Sequence, residues 1–330
     1  MIRQADAAFS PFVPAWWLPG AHLPTIWAKR GRRQPTVHDR IERVATPDSD
    51  HLTLLRMGVA TDQAPHLLVL HGLEGTMHAK YAHGLLASAK RRGWTGDLLM
   101  FRTCDGEMNA ARRMYHSGET GDVDFIARRI VAERHGQPVF VVGVSLGGNV
   151  LLKWLAELGG AATGLVKGAV AMSVPADLAA GSRYLEHGLG PLYVRHFLNT
   201  LKPKAYAKDK QYPGCIDIHR VRDARSFWDF DDAATAPLHG FRSAADYYSR
   251  SSSLPLLPLV QVPSAVLVAQ DDPFIPPPVI GALEDVARTS AVISVHTTRR
   301  GGHVGWVSGG PLAPTYPMED KSIAFLERLS

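Results

Sequence analysis

The segment VFVVGVSLGG at residues 139–148 constrains the fold most, because a continuously apolar run ends there at a serine flanked by glycines. A run that is apolar at every position is typical of a strand buried on both faces. Gly143, Ser145 and Gly147 fit the pattern G-x-S-x-G, in which a sharp strand-to-helix turn exposes a serine hydroxyl at the edge of a sheet. Taken alone, the pentapeptide could also be a purely structural turn, so its surroundings decide the interpretation.

Short apolar runs and longer helical patterns alternate from about residue 53 onward. This alternation predicts an α/β fold, with a mostly parallel sheet that helices cover on both faces. Strands are predicted at Leu52–Met57, His66–Leu70, Asp97–Phe101, Pro138–Val144, Gly168–Ser173, Ala265–Ala269 and Val292–His296. Helices are predicted at 78–92, 120–135, 147–158, 277–287 and 318–328.

The alternation is interrupted between residues 174 and 258, where helical pieces, aromatic residues and polar turns replace the strand patterns. Insertions of this kind tend to lie on loops at the functional end of a sheet. We therefore predict a helical cap at 174–258 and a core formed by 51–173 and 259–330. Residues 1–50 are predicted to be an aromatic and basic arm that packs on this core.

Most of the net positive charge lies in the arm. The chain has 36 Lys and Arg against 31 Asp and Glu, a net charge of +5, and seven basic against three acidic residues fall within 1–43. A protein that binds nucleic acid in a groove has positive charge spread along one face. Here the excess charge is confined to one short segment, so we do not expect nucleic-acid binding. Residues 10–34 also contain three Trp and four Pro. We expect these aromatic residues to pack on the core, with contact to a membrane surface as the alternative.

Several other classes are not expected. No apolar run reaches the roughly 18 residues of a spanning helix, and the start lacks a secretory signal. Cys104 and Cys215 could form at most one disulfide in 330 residues, so we expect a reducing, cytoplasmic compartment. No His or Cys cluster has zinc spacing and no nucleotide-binding loop occurs, so neither metal nor cofactor is expected.

Two later motifs complete a pattern for nucleophilic catalysis with Ser145. His303 lies between glycines after the last predicted strand, where a general base can sit on a loop. Asp271 and Asp272 follow the strand Ala265–Ala269, and a carboxylate at that position can orient an imidazole. The order serine, acid, histidine is that of α/β-hydrolases. These residues alone leave the choice between Asp271 and Asp272 open.

The sequence HGLEG at 71–75 directly follows another predicted strand. An acyl-transfer enzyme needs amide donors for the oxyanion of its tetrahedral intermediate. We expect these to be the amide of Leu146, after the serine, and the amide of Leu73 in this turn. His71 is expected to brace the turn rather than take part in catalysis.

Beyond these motifs, the chain resembles the YheT-like family of α/β-hydrolases (α/β-hydrolase type 4) over roughly residues 10–328. The resemblance rests on PFVPAWWLPGAHLPTIW, LHGLEG, RGW, FRTCDGE, RRMYHSGETGD, GVSLGGNVLLKWL, QDDPFIP and GGHVGW. It implies an α/β-hydrolase fold with a helical cap, and Ser145, Asp272 and His303 as the triad. The proline at 276, a few residues after Asp272, fits the family pattern best, and Asp271 is the reserve.

The family stretches also contain residues without an obvious catalytic part. Arg102, Glu107, Tyr115, His116 and Ser117 are expected to form a loop network of salt bridges and hydrogen bonds, with pocket lining as the alternative. The family more often has glycine and serine at the positions of Thr103 and Asp105, a difference that could alter substrate fit.

Together these features predict a serine hydrolase, a carboxylesterase that acts on short- to medium-chain or lipid-like esters through an acyl-enzyme. An acyltransferase with the same triad is one alternative. A non-catalytic lipid- or ligand-binding protein is the other. The expected partner is a small ester, and the sequence does not indicate an oligomeric state.

Overall fold

A central eight-stranded sheet organises the computed structural model, which describes residues 6–9, 11–58 and 64–329. The strand order is β1-β2-β4-β3-β5-β6-β7-β8. β2 runs antiparallel to both β1 and β4, and the pairs from β4 onward are parallel. The strands are β1 Arg40–Ala45, β2 His51–Met57, β3 His66–Leu70, β4 Thr95–Met100, β5 Val139–Val144, β6 Gly168–Met172, β7 Ser264–Ala269 and β8 Ile293–Thr298. A separate hairpin pairs β9 Ser308–Gly310 with β10 Ala313–Thr315.

Helices cover the sheet, and every residue of β3, β5, β6 and β7 is buried, as expected for strands that are covered on both faces. The helices are α1 His22–Arg30, α2 Lys80–Arg91, α3 Gly121–Glu133, α4 Leu146–Leu158, α5 Leu178–Tyr184, α6 Gly190–Gln211, α7 Ile218–Asp223, α8 Phe227–Phe230, α9 Ala236–His239, α10 Ala244–Ser251, α11 Pro277–Thr289 and α12 Pro317–Glu327. Single 3-10 turns lie at Asp6–Ala8, Gly159–Gly164 and Leu254–Leu259. The predicted mostly parallel α/β architecture is confirmed.

The first strand was missing from the sequence prediction, which assigned residues 1–50 to the arm. β1 pairs along its whole length with β2, so the sheet begins at Arg40 rather than in the segment after residue 50. Its sequence, RIERVA, gives a weak strand signal because an edge strand leaves most of its side chains exposed. The boundary between arm and core therefore needs correction at this point.

The remainder of the arm lies on the carboxyl-terminal part of the chain. The amide of Ala15 donates to the carbonyl of Val307 at 2.8 Å, and the indole of Trp17 donates to the carbonyl of Gly309 at 3.0 Å. Trp17 and Trp27 pack edge to face, whereas the Trp16 side chain is 79% exposed. The arm thus holds two of its three tryptophans against the protein, and Arg3 lies outside the described residues.

Residues 173–263 form the connection between β6 and β7. They include α5 to α10 and a π-helical segment, Asp231–Thr235. An apolar cluster separate from the core of the sheet holds these helices together, with buried members that include Leu185, Val194, Leu198, Leu201, Phe230 and Leu238. The described connection is helical, as the sequence indicates, while its definition as a cap domain stays a prediction.

A buried ion cluster joins the β1–β2 turn to the rest of the core. Arg102, just after β4, donates to Asp50 at 2.7 Å, to Asp122 of α3 at 2.7 Å and to Asp48 at 3.1 Å. The side chains of Arg102 and Asp50 are fully buried. Buried carboxylates need such partners, because removing one partner leaves an uncompensated charge in a poorly solvated place.

Replacing Arg102 with leucine should therefore lower the free energy of unfolding by about 3–5 kcal/mol. Urea denaturation monitored by circular dichroism measures this change. Arg43→Gln is the matched control, because the Arg43–Glu107 pair is more than half exposed and its loss should leave the unfolding midpoint unchanged. Equal midpoints for the Arg102→Leu variant and the wild type would contradict the role of the cluster.

Candidate active site

Ser145 occupies the sharp turn between β5 and α4. Its backbone has φ 54° and ψ −120°, a conformation that is strained for a residue with a side chain. The Ser145 amide donates to the carbonyl of Met172 on β6 at 2.8 Å, which fixes the turn to the sheet. A Cβ atom on Gly147 would lie 2.5 Å from the carbonyl oxygen of Leu70, and one on Gly143 would collide with Gly147. Both glycines are therefore required by close backbone approach.

A chain of hydrogen bonds runs from Ser145 through His303 to Asp272. The serine Oγ lies 2.9 Å from His303 Nε2, and His303 Nδ1 lies 3.0 and 2.9 Å from the two carboxylate oxygens of Asp272. Asp272 is buried and also accepts from the amide of Phe274 at 2.9 Å. The structure thus brings together the three residues that the sequence suggested, although they lie up to 158 positions apart.

Asp271 has a different position from its neighbour. Its carboxylate accepts a hydrogen bond at 2.8 Å from the amide of Gly302, in the loop that carries His303. Desolvation raises the pKa of Asp271, and the amides of Gly302 and Gly301 partly offset this effect. The geometry therefore places Asp272 against the imidazole and Asp271 against the backbone of the histidine loop.

The arm also contacts the histidine loop, which the sequence did not indicate. The hydroxyl of Thr25 in α1 accepts a hydrogen bond from the amide of His303 at 2.8 Å. A Cβ atom on Gly302 would lie 2.5 Å from the same hydroxyl oxygen, so glycine is needed for this approach. No sequence signal could have identified Thr25, because an isolated threonine 278 positions from the histidine fits no motif.

Helix α1 is in turn joined to α6. His22 Nδ1 lies 2.9 Å from the Tyr193 hydroxyl, and Lys29 Nζ lies 2.8 Å from His196 Nε2. Near this junction, the ring of Phe274 stacks on that of His303 at a centroid distance of 4.2 Å. The imidazole is therefore held on one side by a carboxylate and on another by an aromatic ring.

The turn after β3 approaches the serine closely. A Cβ atom on Gly72 would lie 3.1 Å from the Ser145 Cβ. The Gly72 amide donates to the Tyr81 hydroxyl at 2.7 Å, and the Glu74 amide donates to the Tyr115 hydroxyl at 2.9 Å, which fixes the backbone on both sides of Leu73. Leu146 is the first residue of α4, where a helix amide has no acceptor within the helix.

His71 stabilises the same turn through hydrogen bonds, as its expected structural role requires. Its Nε2 accepts from the amide of Phe101 at 3.1 Å, and its Nδ1 lies 2.7 Å from the carbonyl oxygen of Gly72. Burial lowers the pKa of His71 to about 4, so the imidazole is neutral at pH 7. Nδ1 therefore donates while Nε2 accepts, and the ring links β4 to the turn.

The five residues singled out in the family stretches divide between the two expected roles, a loop network of polar contacts and the lining of a pocket. Arg102 and Glu107 form ion pairs. The Tyr115 hydroxyl donates to Glu74 at 2.8 Å, and Glu74 also pairs with Lys204 of α6 at 2.7 Å. Tyr115, His116 and Ser117 line a cavity next to Ser145.

Two cavities meet at Ser145 and His303. The inner cavity has a volume of about 130 Å³ and lies between the core and the helices of the β6–β7 connection. The outer cavity, of about 590 Å³, lies between α1, α6 and the turn after β3. Leu73, Phe197 and Phe274 line both cavities. A bound molecule could thus extend from the serine in two directions.

Other kinds of site have little support in the described chain. Within residues 6–9, 11–58 and 64–329, no group of three His, Cys, Asp or Glu side chains could hold a metal ion. In the same residues, no helix has both the length and the apolar composition needed to span a membrane. Cys104 and Cys215 are both buried and free, and burial raises the pKa of the Cys104 thiol to about 12.

Comparison with known proteins adds independent information. The model of the alpha/beta hydrolase family matches residues 67–314. The Escherichia coli (strain K12) protein named "Putative esterase YheT" is 37% identical to this chain, and the match covers 94% of this chain and 91% of that protein. Phospholipase ABHD3 of Homo sapiens is 27% identical, over 89% of this chain and 76% of that protein. The esterase Pf2001 of Pyrococcus furiosus has a TM-score of 0.56 at 15% identity, over 90% and 99% of the two chains, and supports the fold alone.

Proposed function

The chain belongs to the alpha/beta hydrolase family, and we propose that it is a serine hydrolase that cleaves carboxylic esters. The resemblance to the YheT-like family and the α/β-hydrolase fold, both predicted from the sequence, are confirmed by these matches. The observation that carries the proposed activity is the unbroken chain of hydrogen bonds from Ser145 through His303 to Asp272.

In the proposed reaction, Ser145 Oγ attacks the ester carbonyl while His303 Nε2 takes its proton. The same nitrogen then donates this proton to the leaving alcohol. Asp272 accepts from His303 Nδ1, so it selects the tautomer with a free Nε2 and stabilises the imidazolium that forms. A water molecule, activated by His303, then attacks the acyl-enzyme and releases the acid.

The amides of Leu146 and Leu73 are proposed to stabilise the oxyanion of each tetrahedral intermediate. Fixed backbone donors suit this task, because they need no reorganisation while charge develops on the oxygen. The bonds to Tyr81 and Tyr115 support the proposal, since they hold the amides on either side of Leu73 and leave that of Leu73 between them.

The cavities favour an ester of short to medium chain or of lipid-like character. Buried apolar side chains, such as those of Leu185, Leu201 and Leu238, line the inner cavity. A relative named a phospholipase supports the lipid-like class. Acyl transfer to an alcohol would use the same triad. We place hydrolysis first because the outer cavity is bordered by exposed residues, such as Leu192, and admits water.

We also propose that the rim of the outer cavity contacts an anionic membrane surface. This mouth patch comprises the exposed apolar side chains of Ile26, Leu189 and Leu192 and the basic side chains of Arg30 and Arg195. Within the described chain, neither arginine pairs with a carboxylate. Exposed apolar groups beside free positive charges suit the interface of an anionic bilayer, and a substrate could then enter from the lipid.

Replacing Ser145 with alanine should reduce the hydrolysis of p-nitrophenyl esters by about 10⁴-fold or more, because the nucleophile is lost. Circular dichroism checks that the variant is folded, and a fluorophosphonate probe should label the wild type but not the variant. Full esterase activity in the folded variant would refute the assignment. If the wild-type serine does not react with the probe, a non-catalytic binding protein is favoured instead.

The adjacent carboxylates provide a matched pair of variants. Asp272→Asn should lower kcat by about 10³- to 10⁴-fold, because the amide no longer selects the correct tautomer or stabilises the imidazolium. Asp271→Asn should lower kcat by only about tenfold, because its remaining carbonyl can still accept from Gly302. Steady-state kinetics on one ester measure both effects. If kcat fell further in Asp271→Asn than in Asp272→Asn, Asp271 rather than Asp272 would be the residue that orients His303.

Membrane contact is tested by co-sedimentation with vesicles of phosphatidylglycerol. Arg30→Gln with Arg195→Gln, or Leu189→Ser with Leu192→Ser, should each weaken binding by at least about tenfold. Arg43→Gln with Ile41→Ser is the control, because both residues lie on the edge strand β1. Unchanged binding by the mouth-patch variants would contradict the proposed surface.

A further inference from the structure

The cap contains a π-helical segment, Asp231–Thr235, between α8 and α9. Such segments are rare and frequently occur at functional sites, because the wider turn changes the direction of nearby side chains. Here the first and last residues of the segment, Asp231 and Thr235, line the inner cavity together with Ser145. The departure from regular helix therefore places two polar side chains in a mostly apolar space.

Asp231 carries unused hydrogen-bonding capacity. One carboxylate oxygen accepts from the Thr235 hydroxyl at 2.5 Å, and the other accepts from the Tyr248 hydroxyl at 2.7 Å. Each carboxylate oxygen can accept about two hydrogen bonds, so both have room for another donor. Desolvation raises the pKa of Asp231 to about 6, which still leaves the ionised form in the majority at pH 7.

No positive charge in the described chain compensates this carboxylate. Among those residues, no lysine or arginine makes an ion pair with Asp231, and its only side-chain partners are Thr235 and Tyr248. Besides His303, the imidazoles of His116 and His239 line the same cavity. Burial lowers the pKa of His239 to about 4 and that of His116 well below its usual value, so both rings are neutral.

A purely structural role explains this arrangement poorly. An asparagine could accept from one hydroxyl through its carbonyl oxygen and donate to the other through its amide group, with a smaller desolvation penalty than an ionised carboxylate. A carboxylate in an apolar cavity becomes useful when a ligand brings a donor to it. The surrounding apolar side chains, including Leu178, Leu185 and Phe230, would strengthen that contact by excluding water.

We propose that Asp231, with Thr235 and Tyr248, forms a specificity site for a hydrogen-bond donor, a hydroxyl or an ammonium group, at the far end of the substrate's acyl chain. The proposal rests on the esterase function above. The acyl chain is assigned to the inner cavity because buried side chains enclose it, whereas exposed ones border the outer cavity. The alcohol can then leave through the outer cavity, and water can enter while the acyl-enzyme persists.

The experiment compares p-nitrophenyl esters of four to eight carbons that end in a methyl, a hydroxyl or an ammonium group. At one chain length, the wild type should prefer a hydroxyl or ammonium ester over the methyl ester by at least about tenfold in kcat/KM. Asp231→Asn should reduce an ammonium preference by about tenfold or more, and Asp231→Ala should abolish either preference. The kcat/KM for the methyl ester of the same length is measured in each variant as the reference for these preferences.

Asp232→Asn is the matched control, because the neighbouring carboxylate pairs with Arg220 and accepts from the amide of Ala244 rather than lining the cavity. This variant should keep the wild-type preference. Equal turnover of the three ester classes by the wild type at every length would overturn the specificity site while leaving the esterase intact, as would a preference that survives Asp231→Ala. Absence of turnover for all esters would instead refute the proposed function, and the site with it.

Discussion

The strained turn at Ser145 is the constraint on which the rest of the structure depends. A positive φ at a serine persists only if its surroundings enforce it. Here β5 is paired on both sides within the sheet, α4 packs on β5 and β6, and the serine amide is bonded to Met172. Gly147 lets the backbone of Leu70 approach, which brings the end of β3 and the following turn next to the hydroxyl. The serine oxygen thus becomes a fixed point against which the turn after β3 and the histidine loop are both aligned.

The arm and the helices of the β6–β7 connection contribute contacts to this alignment. Asp271 and Thr25 each accept a hydrogen bond from a backbone amide of the histidine loop. The position of the loop therefore depends on α1 as well as on the segment that follows β7. Lys204 of α6 pairs with Glu74 in the turn after β3. Since α6 also contacts α1 through Tyr193 and His22, one helix connects the support of the histidine loop with that of the turn after β3. A displacement of α6 would therefore disturb both groups together.

The sequence predicts those features whose signal is local. Continuous apolar runs identify the buried strands, and glycines around Ser145 identify the turn, because close packing excludes other residues there. β1 is missed because an exposed edge strand does not need an apolar pattern. The separate tasks of Asp271 and Asp272 depend on which carboxylate the loop turns toward His303. Thr25 reaches the same loop through tertiary packing, and the π-helical start at Asp231 has no known sequence signature, so neither could be found from a single sequence.

The two cavities differ in charge, and this difference bears on how an ester would be oriented. The outer cavity is bordered by Lys29 and Arg30 of the arm and by Arg195 of α6, so basic side chains lie on the solvent side of the serine. The inner cavity holds one carboxylate, Asp231, and the neutral imidazoles of His116 and His239. A substrate with a negative group near its alcohol and a hydrogen-bond donor at the end of its acyl chain would complement both cavities in one orientation, with the negative group in the outer cavity and the donor in the inner one. For an ammonium donor, the reversed orientation would place like charges together at each end, so the electrostatics would select the direction in which the carbonyl meets Ser145.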